Sequence, residues 1–236
     1  MAIDGPSGAG KTAAGMLVAE RIGAVFVDTG IFYRGLTVLA LRNGVATSDA
    51  AGVTALVSGL ASAVVQPASG CRVVEVRIKG EPAGAAVHSM EVEARVSEVA
   101  SHSEVRAAIL SLQRDAASGK PAVVAGRDIG TVVFPGAPLK VYLDASPHER
   151  AVRRARQRGV LGGEGEVAAS LAARDAFDAG RAVAPLTRAD DAVVVDTEGL
   201  SLEEVVDALE TLVKRTLAGG SGGAGPPTSV DLSARP

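Results

Sequence analysis

The sequence predicts an α/β fold in which a parallel sheet of five strands is flanked by helices. A short apolar run, Met1–Ile3, leads through a glycine-rich loop into a helical pattern. The runs 122–125 and 139–143 are continuously apolar, as expected for strands buried on both faces of a parallel sheet. Helical patterns separate these strand-like runs, and such an alternation is typical of a doubly wound sheet.

Each predicted element has its own sequence signal. The predicted strands are 1–3, 24–27, 122–125, 139–143 and 192–195. The predicted helices are 11–22, 31–42, 49–65, 91–99, 103–117, 147–158, 166–178 and 201–217. Ser201 and Glu204 form a capping box at the start of the last helix. Segment 73–78 alternates apolar and charged residues as a strand does, so we predict a small inserted subdomain at about 68–87.

The glycine-rich loop GPSGAGKT fits the phosphate-loop pattern GxxxxGKT. Glycines allow the backbone to turn its N–H groups toward phosphate oxygens, and the next helix directs its positive end at the same ligand. Lys11 is predicted to reach the β- and γ-phosphates, and the Thr12 hydroxyl to bind Mg²⁺. A chance glycine-rich turn is disfavoured by the position between a strand and a helix. The predicted ATP-binding residues are Gly5, Pro6, Ser7, Gly8, Ala9, Gly10, Lys11 and Thr12.

The composition narrows the possible functions. Hydrophobic residues make up 47% of the 236, but aromatic residues only 3%, so a base-stacking surface for single-stranded nucleic acid is not expected. The formal net charge of −3 favours neither nucleic acid nor an anionic membrane as a partner. The lone Cys71 excludes an internal disulfide. No apolar stretch approaches the ~20 residues of a membrane-spanning helix, and we therefore expect a cytoplasmic protein.

Candidate ligand-binding residues follow two predicted strands. Asp28, Thr29, Tyr33 and Arg34 come after one, and the segment GRDIGT at 126–131 comes after another. The carboxyl ends of parallel strands meet at one edge of the sheet, where α/β proteins bind ligands. This segment therefore suits a second phosphorylated ligand, and a structural Arg–Asp pair is the alternative.

Two further segments concentrate arginine. Arg174, Asp178 and Arg181 are spaced i, i+4, i+7 and lie on one helical face, either as a site or as a solvated salt-bridge ladder. The helix after Pro147 carries Arg150, Arg153, Arg154, Arg156 and Arg158. Like charges on one face favour an anionic ligand there, such as a triphosphate facing a monophosphate. A nucleic-acid patch and a solvated basic face are the alternatives.

Several of these motifs together resemble the bacterial cytidylate kinases, a family of phosphate-loop nucleoside-monophosphate kinases. The resemblance runs from Met1 to about Leu217. Its most specific carriers are GRDIGTVVFP at 126–135 and RDAFDAGRAVAPL at 174–186, with LDASPHER at 143–150 in support. It implies a P-loop kinase core over 1–218, with the inserted subdomain holding the monophosphate, a short lid at about 153–166, and a flexible tail at 219–236.

The resemblance also implies an activity and a set of site residues. The implied reaction is ATP-dependent phosphorylation of CMP and dCMP, with Mg²⁺, by a monomer. The implied catalytic residues are Lys11, Arg127, Arg154, Arg158 and Arg181. The implied acceptor-binding residues are Thr29, Tyr33, Arg34, Ser97, Arg106, Arg127, Asp128, Arg174, Asp178 and Arg181. Among them, Asp128 is expected to accept from the exocyclic amine of cytosine, and Asp178 to contact the sugar hydroxyls.

One departure and two rival functions accompany this interpretation. His88 stands in the insertion where the family often has Arg, so contact between the insertion and the nucleotide is in question. The rival enzymatic function is a small-molecule kinase with another acceptor, such as UMP or shikimate. The other rival is a nucleotide-binding regulator without turnover, which the intact Lys11, Thr12, Arg127 and Arg181 argue against.

Overall fold

The computed structural model describes residues 1–67, 70–159, 163–219 and 229–230, without the side chains of residues 158, 164, 229 and 230. The helices are α1 (Lys11–Arg21), α2 (Gly30–Arg42), α3 (Ala50–Ala55), α4 (Met90–Val99), α5 (Ser103–Ala117), α6 (Pro147–Arg158), α7 (Glu164–Ala179) and α8 (Leu202–Gly219). The strands are β1 (Ala2–Asp4), β2 (Val25–Asp28), β3 (Leu60–Val65), β4 (Arg72–Ile78), β5 (Glu81–Pro82), β6 (Ala122–Ala125), β7 (Lys140–Asp144), β8 (Val193–Asp196) and β9 (Ser229–Val230). The predicted α/β class is confirmed, with more strands than the five predicted.

The chain forms two compact units, one of residues 1–23 and 123–236 and the other of residues 24–122. In the first unit the strands are parallel, in the order β6-β1-β7-β8-β9. β1 lies between two neighbours, with Ile3 opposite Ala125 on one side and Val141 on the other. Ile3 and Leu143 are completely buried, so the strand that leads into the phosphate loop is anchored in the core.

Helices α1 and α8 of the first unit are joined by an ion-pair cluster. Arg21, at the end of α1, pairs with Glu203, with Asp207 at 2.6 Å and with Glu210 at 3.1 Å, all on α8. These carboxylates raise the pKa of the Arg21 guanidinium, and the largest cause is the hydrogen bond that Arg21 donates to Asp207. The capping box predicted for α8 is confirmed, because the Ser201 N–H donates to Glu204 and the Glu204 N–H donates to the Ser201 hydroxyl.

The second unit contains an antiparallel hairpin beside a parallel strand. β2 pairs in parallel with β4, and β4 pairs antiparallel with β3 and β5. The helix predicted over 49–65 is wrong in its second half, since α3 ends at Ala55 and β3 begins at Leu60. The run LASAVV is apolar enough to suit a helix or a strand. It forms a strand because it pairs with β4 along its whole length.

Parts of the predicted inserted subdomain, lid and tail are not among the described residues. Residues 68–69 and 160–162 lie outside the described residues, as does most of the stretch 219–236. Within that stretch, Ser229 and Val230 form a two-residue strand parallel to β8. In the described part of the chain, no helix combines the length and the hydrophobicity needed to cross a bilayer.

A tight contact in the second unit gives a prediction on stability. A Cβ at Gly35 of α2 would lie 2.7 Å from Cγ1 of Val76 and 3.3 Å from Cδ2 of Leu60. Val76 is β-branched and buried, so it has little room to move. We expect Gly35→Ala to lower the free energy of unfolding by about 1–2 kcal/mol, because overpacking exceeds the gain in helix propensity.

Gly165 of α7 is the matched control for this substitution. A Cβ there meets nothing within 4 Å, so Gly165→Ala should raise the free energy of unfolding by up to about 1 kcal/mol. Urea denaturation of both variants measures the difference. A Gly35→Ala protein as stable as the wild type would contradict the packing described for α2.

Candidate active site

The phosphate loop connects β1 to α1 and has little room for side chains at its start. Gly5 has φ +143°, and a Cβ there would overlap the carbonyl oxygen of Leu143 in β7. Because that oxygen belongs to the backbone of a central strand, the overlap cannot be relieved by a side-chain movement. Glycine is therefore required at this position.

Lys11 folds back over the loop that precedes it. Its Nζ donates to the carbonyl oxygens of Gly5, at 2.7 Å, and of Pro6, at 2.6 Å. The ammonium therefore lies directly above the segment where phosphate oxygens are predicted to bind. α1 begins at Lys11 itself, so its positive N-terminal end also faces this segment.

The residues present fit a Mg²⁺ ion that arrives with a nucleotide. Thr12 is exposed in the first turn of α1 and offers one hydroxyl oxygen. Within the described ranges, no group of three or more His, Cys, Asp or Glu side chains could hold a metal by itself. Mg²⁺ commonly keeps several waters and takes its remaining ligands from substrate phosphates, so a single protein oxygen is compatible with it.

Asp178 of α7 joins two of the predicted arginines. It is 4% exposed and accepts from Nε of Arg127 at 2.9 Å, and Nη2 of Arg181 lies 3.3 Å from its other oxygen. Arg127 also donates from Nη1 to the Gly5 carbonyl at 2.9 Å. The structure thus brings Lys11, Arg127 and Arg181 around one carboxylate and one carbonyl, and the cluster has an excess of positive charge.

The acidic partner of Arg127 differs from the one considered in the sequence analysis. Asp178, and not the adjacent Asp128, forms the ion pair. Asp128 is 5% exposed and precedes a single π-helical turn, Ile129–Val133. Arg174 lies one turn before Asp178 on α7 and is partly buried.

Asp4, at the end of β1, holds the turn that follows Arg127 and Asp128. Its carboxylate accepts the backbone N–H groups of Ile129 and Gly130, both at 2.7 Å. Burial raises the pKa of the Asp4 carboxyl, whereas the two backbone donors act in the opposite direction. Sequence reasoning assigned no role to Asp4, because nothing local indicates a contact with a turn more than a hundred residues away.

The arginines of α6 divide into two groups. Arg150 and Arg153 make structural contacts: Arg150 with Asp175 and the Ser7 carbonyl, and Arg153 with Glu149 and Thr197. The anion expected to compensate this helix is therefore supplied in part by the protein. Arg154 donates to Gln157, Arg156 is exposed, and the side chain of Arg158 lies outside the described residues.

Two further residues near the loop were missed as site residues. Asp175 accepts the Ser7 N–H at 3.0 Å, so that amide is committed to the protein in this structure. Tyr142 of β7 has a raised pKa, caused first by partial burial and then by the charges of Asp144 and Asp175. Spacing along the chain gave no signal for either residue.

The second unit contains the other predicted acceptor-binding residues. Arg106 and Tyr33 are brought together, with the guanidinium 5.5 Å from the centre of the Tyr33 ring, and Arg106 also donates to the Ala100 carbonyl. Arg34 donates to the Val87 carbonyl at 3.3 Å. Thr29 is buried immediately before α2, and Ser97 lies on α4. His88 is exposed at the end of a short 3₁₀ turn.

Comparison with known protein families adds the deciding observation. The family described as "Cytidylate kinase" matches residues 1–215. The chain belongs to the cytidylate kinase family. Family membership agrees with the phosphate loop, the parallel strands of the first unit and the arginine cluster around Asp178.

Similar proteins of this family come from several bacteria. The chain is 42% identical to the cytidylate kinase of Geobacter sulfurreducens, over 91% of this chain and 92% of that protein. It is 42% identical to the cytidylate kinase of Nocardia farcinica, over 94% of this chain and 96% of that protein. It is also 42% identical to the "Bifunctional pantoate ligase/cytidylate kinase" of Synechococcus sp. (strain CC9311), of which it spans 44%.

The buried Asp4 gives a prediction on pH. Its folded-state pKa lies above the unfolded value of 3.8, so its contribution to stability is greatest below that value and is lost as pH rises through the folded-state pKa. Asparagine does not titrate. The difference in free energy of unfolding between wild type and Asp4→Asn should therefore be larger near about pH 4 than at about pH 7.

Urea denaturation across this pH range measures that difference. Asp190→Asn, at an exposed position, is the control and should change stability by less than about 0.5 kcal/mol. A difference for Asp4→Asn that increases with pH would show that the two backbone donors outweigh burial.

Proposed function

We propose that this protein transfers the γ-phosphoryl group of ATP to CMP and dCMP, giving CDP and dCDP. The observation that carries the proposal is the family match over residues 1–215, joined to a phosphate loop whose Gly5 carbonyl already binds Lys11 and Arg127. The proposed enzyme acts as a cytoplasmic monomer on these small molecules, with neither nucleic acid nor membrane as a partner.

Catalysis by such an enzyme consists mainly of positioning and charge neutralisation. Two unit charges ~4 Å apart repel by roughly 4 kcal/mol at an effective dielectric of 20, and the two nucleotides carry several charges each. Lys11 and Arg127 supply positive charge beside the loop, and Arg154, Arg158 and Arg181 are the other proposed cations. No general base is needed, because the attacking phosphate oxygen of the acceptor is already ionised.

The donor nucleotide is proposed to bind along Gly5–Thr12. Lys11 would exchange its bonds to the Gly5 and Pro6 carbonyls for bonds to the β- and γ-phosphates. Thr12 is the proposed protein ligand of Mg²⁺. When bound with ATP, Mg²⁺ neutralises charge on the β- and γ-phosphate oxygens.

The proposed acceptor-binding residues are grouped by the part of the nucleotide that each is assigned to. Arg127 and Arg181 are assigned to its phosphate, together with Thr29 and Arg34. Ser97, Arg106 and Asp128 are assigned to cytosine, with Tyr33 beside Arg106, and Arg174 and Asp178 to the sugar. A carboxylate has four lone-pair positions, so Asp178 can accept from a sugar hydroxyl while it retains its two arginines.

An acceptor panel tests the proposed function. CMP, dCMP, UMP, AMP and shikimate are each offered with MgATP, and ADP formation is measured by a coupled assay. We expect CMP and dCMP to be preferred by at least about tenfold in kcat/KM, which corresponds to ~1.4 kcal/mol. Preference for UMP, AMP or shikimate would overturn the assignment, and nucleotide binding without turnover would favour the regulator.

Substitution of Arg181 tests its assignment to the acceptor. Its side chain is 5% exposed and lies beside Asp178. Arg181→Ala removes a charge-assisted contact to the acceptor phosphate, so the KM for CMP should rise by about tenfold or more, and that for ATP by much less. Steady-state kinetics with each substrate varied in turn measures both constants.

Arg188 provides a matched control for Arg181. It is an exposed arginine in the same unit, and Arg188→Ala should leave both Michaelis constants unchanged. If Arg181→Ala instead raised the KM for ATP and spared that for CMP, Arg181 would belong to the donor side.

A further inference from the structure

The backbone of Ser7 is held on both sides by one ion pair. Its N–H donates to Oδ1 of Asp175 at 3.0 Å, and its carbonyl oxygen accepts from Nη1 of Arg150 at 2.9 Å. The same Nη1 also pairs with Oδ2 of Asp175. Arg150 comes from α6 and Asp175 from α7, so two helices meet at one residue of the phosphate loop.

Arg150 is fixed by its surroundings and is not placed to move toward a nucleotide. Its residue exposure is 7%, and its Nε donates to the Ala145 carbonyl at 3.1 Å. Its backbone is packed against the loop as well, because a Cβ at Gly8 would lie 3.0 Å from both Cβ and the carbonyl oxygen of Arg150. The guanidinium therefore contacts three groups of the protein at once.

The contact falls where the loop has most conformational freedom. Ser7 lies between Gly5, with φ +143°, and Gly8, with φ +83°, and glycine loses more conformational entropy on ordering than any other residue. A hydrogen bond to each side of Ser7 fixes the peptide groups between these glycines. Ordering the loop before ATP binds lowers the entropic cost of binding.

We propose that Arg150 and Asp175 are positioning residues, which set the conformation of the phosphate loop through Ser7 and thereby the affinity for the phosphates of ATP. This inference rests on the proposed function. The pair contacts the loop through the N–H and the carbonyl of Ser7, so its proposed effect on ATP is exerted through the backbone of Ser7.

Two conservative variants test the pair. Asp175→Asn keeps the size and one acceptor oxygen for the Ser7 N–H, but it removes the charge that pairs with Arg150. Arg150→Gln removes the guanidinium that binds the Ser7 carbonyl. We expect each variant to weaken ATP binding and to raise the KM for ATP by about tenfold or more, because a small displacement of a binding group has effects of this size. The KM for CMP should change by less than about threefold.

Arg153→Gln is the matched control. Arg153 lies on the same helix and makes contacts of the same kind, to Glu149 at 2.9 Å and to the hydroxyl and carbonyl of Thr197 at 2.8 and 2.5 Å. None of these groups belongs to the phosphate loop. Arg153→Gln should also lower the melting temperature but leave ATP affinity unchanged.

Calorimetric titration of ATP without an acceptor is the primary measurement, and melting temperatures are recorded in parallel. The double variant Arg150→Gln, Asp175→Asn should lose little more ATP affinity than either single variant, because both act through the same residue. If Arg150→Gln does not fold, Asp175→Asn alone decides, since its side chain is nearly isosteric.

Two outcomes would overturn the inference. One is unchanged ATP affinity in Asp175→Asn; the other is an equal loss of affinity in Arg153→Gln, which would indicate general destabilisation. Because this titration needs no CMP, a wild-type protein that binds ATP but does not phosphorylate CMP would refute the proposed function and still allow the pair to be tested.

Discussion

Hydrogen bonding to the backbone of the phosphate loop organises the first unit. The Gly5 carbonyl accepts from Lys11 and Arg127, the Pro6 carbonyl accepts from Lys11, and the Ser7 carbonyl accepts from Arg150. Carbonyl oxygens thus bind cations on one side of a loop whose amide groups are the usual ligands of phosphate. This concentrates positive charge at the loop without the need for an external anion.

Each of the two arginines also forms an ion pair with a residue of α7. Arg127 follows β6, and its ion-pair partner Asp178 lies near the end of α7. Arg150 belongs to α6, and its partner Asp175 also lies on α7. Two largely buried ion pairs therefore link α7 to the segment after β6 and to α6, and both arginines also donate to carbonyls of the loop. Removing one member of a buried pair commonly costs more than the pair itself contributes, so these contacts constrain the local geometry strongly.

Much of this architecture could be predicted from local patterns. α5 occupies the predicted 103–117, and the phosphate loop lies between a strand and a helix as expected. The capping box of α8 was predicted from two residues three positions apart, and both of its hydrogen bonds are present. Signals of this kind depend on neighbours within one turn of a helix, and tertiary contacts change them little.

Other features depend on distant contacts and were not predictable from spacing. β3 was assigned to a helix because its strand character comes from pairing with β4. Ser7 and Asp175 are 168 positions apart, and no periodicity relates them. The regular spacing of arginines in α6 suggested one cationic face, but hydrogen bonds hold Arg150 at the loop and Arg153 at Thr197. Which arginines of such a helix make structural contacts can be decided only once the neighbouring elements are known.

The hydrogen bond from Ser7 to Asp175 has a consequence for how a polyphosphate is accommodated. A carboxylate oxygen lies 3.0 Å from that amide, at an ordinary hydrogen-bond distance, so the protein itself engages the amide. The part of the loop around Ser7 thus already has an anion of the protein, the Asp175 carboxylate, bound to it. The proposed polyphosphate is expected to bind mainly at the other end of the loop, which adjoins α1, because the helix dipole attracts anions there.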